Sequence, residues 1–288
     1  MPSEIQHLDH IYSKDTPFET RALSDICLTV EDGGFVGVIG HTGSGTSTLI
    51  SYFNALTRAE PGRVFLNGED LGEKDVDLLK VRRTVGLVFQ YPEYQLFEET
   101  VEKDIAFGPV NLGLGEEEVR SRVAEAMRMV GLPEDTADRS PFELSGGQKR
   151  RAAIAGVLAM RPSVLVLDEP AAGLDPAGRR EMLELISRVH AAGTTIVMVS
   201  HSMEDVGLYC DRLFVLNRGR IAYSGTPAEV FAHAEELRSI GLDVPECARL
   251  AELLRARGLD LPEGIYTLED VSRAIARALG KEAETAPC

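Results

Sequence analysis

Nowhere does the chain carry an apolar run long enough to cross a bilayer. The longest, Ala152 to Met160, falls far short of the roughly 18 residues that a spanning helix needs. Any membrane role is therefore expected to come through a partner. The opening stretch, Met1 to His10, is polar and has no basic segment leading into an apolar one, so no signal peptide is expected. Basic residues are scarce as well: 30 Lys and Arg stand against 46 Asp and Glu, a net charge of −16. Nucleic-acid phosphates and anionic lipids both favour a basic face, so no nucleic-acid partner and no direct adsorption to lipid are expected. Cysteines are few (Cys27, Cys210, Cys247 and Cys288) and none forms a C-x-x-C pair. Reduced thiols without a metal or redox motif are expected. Tryptophan is absent, which excludes no function, and neither internal repeats nor low-complexity segments occur.

What is present alternates strand with helix. Phe35 to Ile39 is a short apolar run ending in a Gly-rich turn, and Ser47 to Leu56 is helix-compatible. Val64 to Leu66 runs into the turn Asn67-Gly68, and Val85 to Phe89 reads as a buried strand. Between Tyr91 and Arg139 the chain turns acidic and helical, with Glu116 to Val130 the clearest helix. Val164 to Leu167 and Thr195 to Val199 are continuous apolar strands of the kind found in a parallel sheet covered on both faces. Arg212 to Leu216 and Arg220 to Tyr223 read as a closing pair around Asn217-Arg218-Gly219. Beyond Gly225 the composition shifts to three helical segments, Pro227 to Ile240, Glu246 to Arg257 and Thr267 to Leu279, separated by Gly and Pro. A boundary is placed near residue 225, and 281–288 read as a frayed tail.

Gly40-His41-Thr42-Gly43-Ser44-Gly45-Thr46-Ser47 follows the first of these buried strands and opens a helix. It fits G-x-x-x-x-G-K-[S/T] in every position but one: Thr46 stands where lysine belongs. The glycines let backbone N–H groups curl around a phosphate, and Ser47 is the candidate Mg²⁺ ligand. A Gly-rich turn alone is a weak signal, since a plain strand-to-helix turn looks the same. The remaining chain supplies the context. Leu144-Ser145-Gly146-Gly147-Gln148 precedes a helix rich in Arg and Ala. Asp168 and Glu169 end an apolar strand, followed by Gly173-Leu174-Asp175. Gln90 and His201 each follow a strand end.

In order and spacing these five features resemble the ATPase of ABC transporters. The resemblance implies an α/β P-loop NTPase (RecA-like) core with an N-terminal antiparallel β element, a helical subdomain at about 91–160 and a small helical C-terminal extension. Residues 1–224 would form the ATP-binding domain and 225–280 the extension. It further implies that ATP is held by Gly40, His41, Thr42, Gly43, Ser44, Gly45, Thr46, Ser47 and Thr48, with Tyr12 stacked on adenine. Mg²⁺ would be held by Ser47, Asp168 and Gln90. Glu169 would act as general base or orient the attacking water, with Gln90 and His201 as further catalytic groups. The signature residues Ser145, Gly146, Gly147 and Gln148, with Asp175, would contact the nucleotide of a second ATPase chain, so that a monomer cannot complete a site.

Phe89 to Phe97, running on through Glu98 to Pro109, is similar to the ATPases of energy-coupling factor transporters, which import vitamins and metal ions such as cobalt or nickel. Thr16 to Leu23 resembles the second ATPase of that group. The expected partners are a second ATPase subunit, a paralogue or an identical chain, together with a transmembrane coupling protein and a substrate-binding membrane protein. The expected location is the cytoplasmic face of the membrane, as a peripheral subunit. Thr46 is expected to impair turnover at the chain's own site. The alternative is a nucleotide-binding, catalytically weak partner that completes a paralogue's site. A soluble ABC ATPase of DNA repair or translation lacks support, for there is neither a coiled-coil insertion nor a tandem second cassette.

Overall fold

The computed structural model describes residues 3–280. The expected tail and Cys288 lie outside the described residues. Two long antiparallel strands come first, β1 (Ser3–Tyr12) and β2 (Thr20–Val30); they alternate buried with exposed residues as a half-covered sheet should, except where register shifts interrupt their pairing. The fully buried β3 (Phe35–Gly40) leads into α1 (Thr46–Ile50). The strands β4 (Val64–Leu66) and β5 (Glu69–Asp70) complete a four-stranded sheet in the order β2-β1-β4-β5. Then α2 (Leu78–Thr84), capped by the Asp77 carboxylate, hands over to β6 (Val85–Val88). Next come the helices α3 (Val101–Asn111), α4 (Glu116–Val130) and α5 (Gly146–Leu158), which pack on one another.

The chain then alternates β7 (Val164–Asp168), α6 (Pro176–Ala191), β8 (Thr195–Val199), α7 (Met203–Tyr209) and β9 (Arg212–Asn217). The hairpin strand β10 (Arg220–Gly225) closes the second sheet, ordered β10-β9-β3-β8-β7-β6, in which every pairing but that of β10 is parallel. The helices α8 (Pro227–Phe231), α9 (Ala234–Ser239), α10 (Glu246–Ala256) and α11 (Leu268–Ala278) finish the described chain. The sheet explains why its strands read as unbroken apolar runs. Along β7, Leu165 and Leu167 enter a core shared with α3 to α6. Val164 and Val166 enter the other core, against α1 and the antiparallel sheet. The antiparallel element and the parallel core are therefore those of the expected α/β class.

Three expected elements differ. The helix expected over Ser47 to Leu56 stops at Ile50. Ser51 Oγ donates back to the Thr48 carbonyl at 2.7 Å, Asn54 Oδ1 accepts from the Leu56 N–H at 3.1 Å, and Ala55 turns to φ 53°. These side chains offer the backbone alternatives to the helical ladder. The strand expected to reach Phe89 ends at Val88, and Phe89 is partly exposed. The segment Pro227 to Ile240 breaks into α8 and α9 at His233, whose ring stacks on Tyr223 at 4.9 Å. The helices expected over 246–257 and 267–279 are α10 and α11, with Thr267 as N-cap of the latter. Val230, Phe231, Ala234 and Leu237 join the large core, whereas Ala251, Leu261 and Val271 form a small core of their own.

Candidate nucleotide site

Parallel register brings the ends of β3, β7 and β8 side by side. Val38 pairs with Val199, and Val199 with Asp168, so the phosphate loop leaves the sheet next to the carboxylate pair. The loop is tightly built. Gly43 and Gly45 take φ values of 84° and 106°, where a side chain is strained. A Cβ at Gly45 would lie 2.5 Å from the Ala22 carbonyl oxygen, whereas a Cβ at Gly43 would face open space. Ser44 is wholly buried; its N–H donates to the His41 carbonyl and its own carbonyl accepts from the Gly219 N–H, both at 2.9 Å. The Ser44 hydroxyl is buried without a hydrogen-bond partner. His41 contacts Asn217 Oδ1 through Nε2 at 3.2 Å and the Thr42 carbonyl through Nδ1 at 2.9 Å. Thr46 is 8% exposed, and no ion pair or hydrogen bond brings a lysine or arginine side chain onto residues 40–47 among the described residues.

Asp168 ends β7, almost fully buried. Burial pushes its carboxyl up, against the hydrogen bond from Ser47 and the charge of His201. Glu169 follows with φ 49°, an uncommon conformation for a non-glycine residue. Its N–H donates to the Val199 carbonyl at 3.0 Å, which fixes it to β8. Burial also pushes the Glu169 carboxyl up, His201 opposes the shift and Asp168 adds to it. Glu169 Oε1 is buried without a hydrogen-bond partner, and His201 Nε2 lies 3.5 Å from it. Ser47, Asp168, Glu169 and His201 thus meet at one place. The backbone cradle, the orphaned Ser44 hydroxyl and the Ser47–Asp168 pair fit a magnesium-bound phosphate chain, and the uncharged Thr46 is the one departure.

Tyr12 is about half exposed; its hydroxyl hydrogen-bonds Thr48 Oγ1 at 3.0 Å and its ring meets His10 edge-on at 4.2 Å, which places it beside α1. Gln90 is exposed just past β6. The signature residues lie elsewhere: Ser145, Gly146 and Gly147 are exposed at the start of α5, and no hydrogen bond joins them to the phosphate loop among the described residues. Ser145 and Gln148 form a reciprocal cap, Ser145 Oγ accepting from the Gln148 N–H at 3.3 Å and Gln148 Oε1 from the Ser145 N–H at 3.1 Å. The Asp175 carboxylate caps α6 by accepting from the Gly178 N–H at 2.7 Å.

Two arginines that pattern reading passed over tie these loops together. Arg150, 3% exposed, donates to both oxygens of Glu93 at 2.9 and 2.7 Å and to the Ala172 carbonyl at 2.6 Å. Its guanidinium lies 5.7 Å from the centre of the Tyr91 ring. Burial alone would raise Glu93, but the Arg150 hydrogen bonds, a backbone hydrogen bond and the Arg150 charge hold it below the usual carboxylate range. One side chain therefore joins α5, the segment after Gln90 and the segment after Glu169. Arg179 on α6 pairs with Asp205 at 2.8 Å and hydrogen-bonds Ser202, anchoring the loop that carries His201. A run such as Lys149-Arg150-Arg151 gives no sign from sequence of which arginine turns inward.

A parallel sheet that offers a phosphate loop beside a buried carboxylate pair is the core of a nucleotide-driven ATPase. The model described as "ABC transporter" matches residues 23–172, and the chain belongs to that family, as an ATPase of the energy-coupling factor kind. The energy-coupling factor transporter ATP-binding protein EcfA2 of Caldanaerobacter subterraneus subsp. tengcongensis is 54% identical over 280 residues, 97% of this chain and 98% of that protein. The protein of the same name from Symbiobacterium thermophilum is 52% identical, with 97% of each chain covered. Among solved structures, cbiO1 from Clostridium perfringens, described as part of the ABC transporter complex cbiONQ, superposes with a TM-score of 0.72 at 38% identity, covering 87% of this chain and 98% of that one. An ATP-binding cassette solved as a dimer bound to ADP and Pi gives a TM-score of 0.70 at 27% identity, covering 78% and 98%.

Proposed function

We propose that this chain is one half of a paired ATP-driven motor that docks on a transmembrane coupling protein and powers import of a vitamin or transition metal captured by a substrate-binding membrane protein. The observation that carries the reading is the junction of Ser47 and Asp168 beneath Glu169 and His201. In this reading 1–224 bind nucleotide and 225–280 contribute to pairing. Ser47 and Asp168 hold Mg²⁺, which, when bound, offsets charge on the phosphate oxygens. Glu169, its carboxyl raised by burial, takes a proton from water more readily than an ordinary carboxylate would. His201 and Gln90 orient groups at the γ-phosphate, and Tyr12 carries the adenine. Ser145 to Gln148 and Asp175 serve a nucleotide across the interface, in keeping with their exposure away from this chain's own loop.

Thr46 favours a second reading of the same pair: nucleotide is held here, and the faster turnover occurs at the site this chain completes for a paralogue. Docking is assigned to a groove of about 490 Å³ lined by Leu79, Leu87, Phe97, Phe107, Val157 and Met160. Phe97 in that lining is 59% exposed, and Tyr94, three residues before it, is 84% exposed. Arg150 then links the docked segment to the carboxylate loop through Glu93 and Ala172. In the assembled complex, the double change Tyr94→Ala and Phe97→Ala is expected to abolish co-purification of the membrane subunits while the chain keeps its thermal midpoint. Undiminished co-purification would move the docking surface elsewhere.

A further inference from the structure

The strand pair β1–β2 carries a second constellation that the nucleotide reading does not use. Between the pairs Ile5 with Leu28 and Leu8 with Ile26, β1 advances three residues while β2 advances two. Between Leu8 with Ile26 and His10 with Leu23 the excess reverses. Two opposed bulges result, and a residue of each takes a left-handed backbone, His7 at φ 49° and Asp25 at φ 56°. Without the bulges, strict alternation from buried Ile5 would turn His7 inward. With them, His7, Asp25 and Cys27 all stand on the exposed face.

Their ligand atoms converge, all within 4.8 Å of one another. His7 Nδ1 lies 2.7 Å from Asp25 Oδ1 and 3.7 Å from Cys27 Sγ, which also accepts the His7 backbone N–H at 3.2 Å. A surface ion pair accounts for His7 and Asp25 but leaves the thiol unexplained. Zinc takes cysteine sulfur at about 2.3 Å and histidine nitrogen or carboxylate oxygen at about 2.0–2.2 Å, in tetrahedral array. Those bond lengths put sulfur and nitrogen about 3.5 Å apart, and nitrogen and oxygen about 3.4 Å apart. The sulfur is already at that spacing, and the nitrogen–oxygen pair opens once the proton between them gives way to a metal ion.

We propose that His7, Asp25 and Cys27 form a binding site for a thiophilic divalent cation, zinc foremost, with the fourth position open to water. On binding, the Cys27 thiol loses its proton to solvent, His7 offers Nδ1 as a neutral imidazole and Asp25 stays ionised. Thiolate and carboxylate together balance the charge of the ion.

Cobalt(II) titration of the purified full chain, followed by zinc competition, tests the site. A near-ultraviolet thiolate-to-cobalt band is expected together with visible bands of four-coordinate intensity, both removed by zinc. Cys27→Ser is expected to abolish the thiolate band. His7→Asn and Asp25→Asn, residues that tolerate the same backbone, are each expected to weaken binding by tenfold or more. All three variants should keep the metal-free thermal midpoint, so that loss of binding is not loss of fold. No thiolate band, a band that survives Cys27→Ser, or full affinity in His7→Asn would overturn the proposal.

Discussion

Restoring a lysine at Thr46 is the most informative single change to this chain. The geometry around position 46 otherwise fits the proposed phosphate cradle: Gly43 and Gly45 hold the left-handed turns, the Ser44 hydroxyl is buried without a hydrogen-bond partner, and Ser47 is joined to Asp168. Among the described residues no hydrogen bond or ion pair brings another lysine onto the loop: Lys149 lies over the Phe142 ring, and Lys14 lines a cleft with His10 and Arg58. A hydrogen bond to a charged group contributes about 1.5–3 kcal/mol, which corresponds to roughly a 10- to 100-fold gain in ATP affinity. The gain in rate should exceed that in binding, because one preorganised donor to a developing oxyanion is worth about 10²–10³ in turnover. With an intact paralogue as partner, Thr46→Lys revives one of two composite sites; with an identical chain it revives both. The assay is steady-state ATP hydrolysis by the assembled complex, with nucleotide affinity measured separately on Glu169→Gln backgrounds to suppress turnover. An unchanged rate in the assembled complex would show that Thr46 is not the lesion, and that the cradle draws its positive charge from somewhere else.

Further predictions concern Glu169 and the buried Arg150. Glu169→Gln should keep ATP affinity and remove hydrolysis at any site that works through this chain. Because burial raises the Glu169 carboxyl, the folded state holds its proton more tightly than the unfolded state, so this group costs stability as pH rises through its folded pKa. Glu169→Gln should therefore raise the melting temperature near neutral pH and leave it unchanged in acid; equal melting curves at both would refute the burial argument. Arg150→Ala should cost about 3 kcal/mol in urea unfolding, since removing one partner of a buried pair strands the other. Glu93 is the reverse of Glu169: its folded carboxyl lies low, so its share of stability is present above the unfolded pKa and lost as pH falls through the folded one. The penalty of Arg150→Ala should shrink in that acid range, and Arg150→Lys should recover little of it, for lysine cannot engage both oxygens of Glu93.

Much of the site was legible because its parts are local. A strand of four apolar residues ending in Asp168-Glu169, or a serine followed by two glycines and a glutamine, declares itself within a few positions. The parallel strands were equally plain, since burial on both faces removes polar residues from them. What the residues could not announce was long-range or cooperative. The inward turn of Arg150 depends on Glu93, 57 positions away in sequence. The early end of α1 depends on hydroxyl and amide side chains competing with the helix, and each is unremarkable alone. The bulges that gather His7, Asp25 and Cys27 come from a mismatch between two strands, which neither strand displays by itself.

The cap at the head of α5 has a further consequence. A serine hydroxyl has one proton to give and lone pairs to receive. In Ser145 a lone pair is committed to the Gln148 N–H, and the Gln148 side chain is turned back on the Ser145 N–H. The cap makes no use of the Ser145 proton, and the oxygen is steadied by its own helix. On the proposed pairing, the part of the site lent to a neighbour would be formed before any neighbour arrives, and would owe nothing to position 46. On the proposed reading, loss of turnover at this chain's own cradle and service to a partner's would be separable traits.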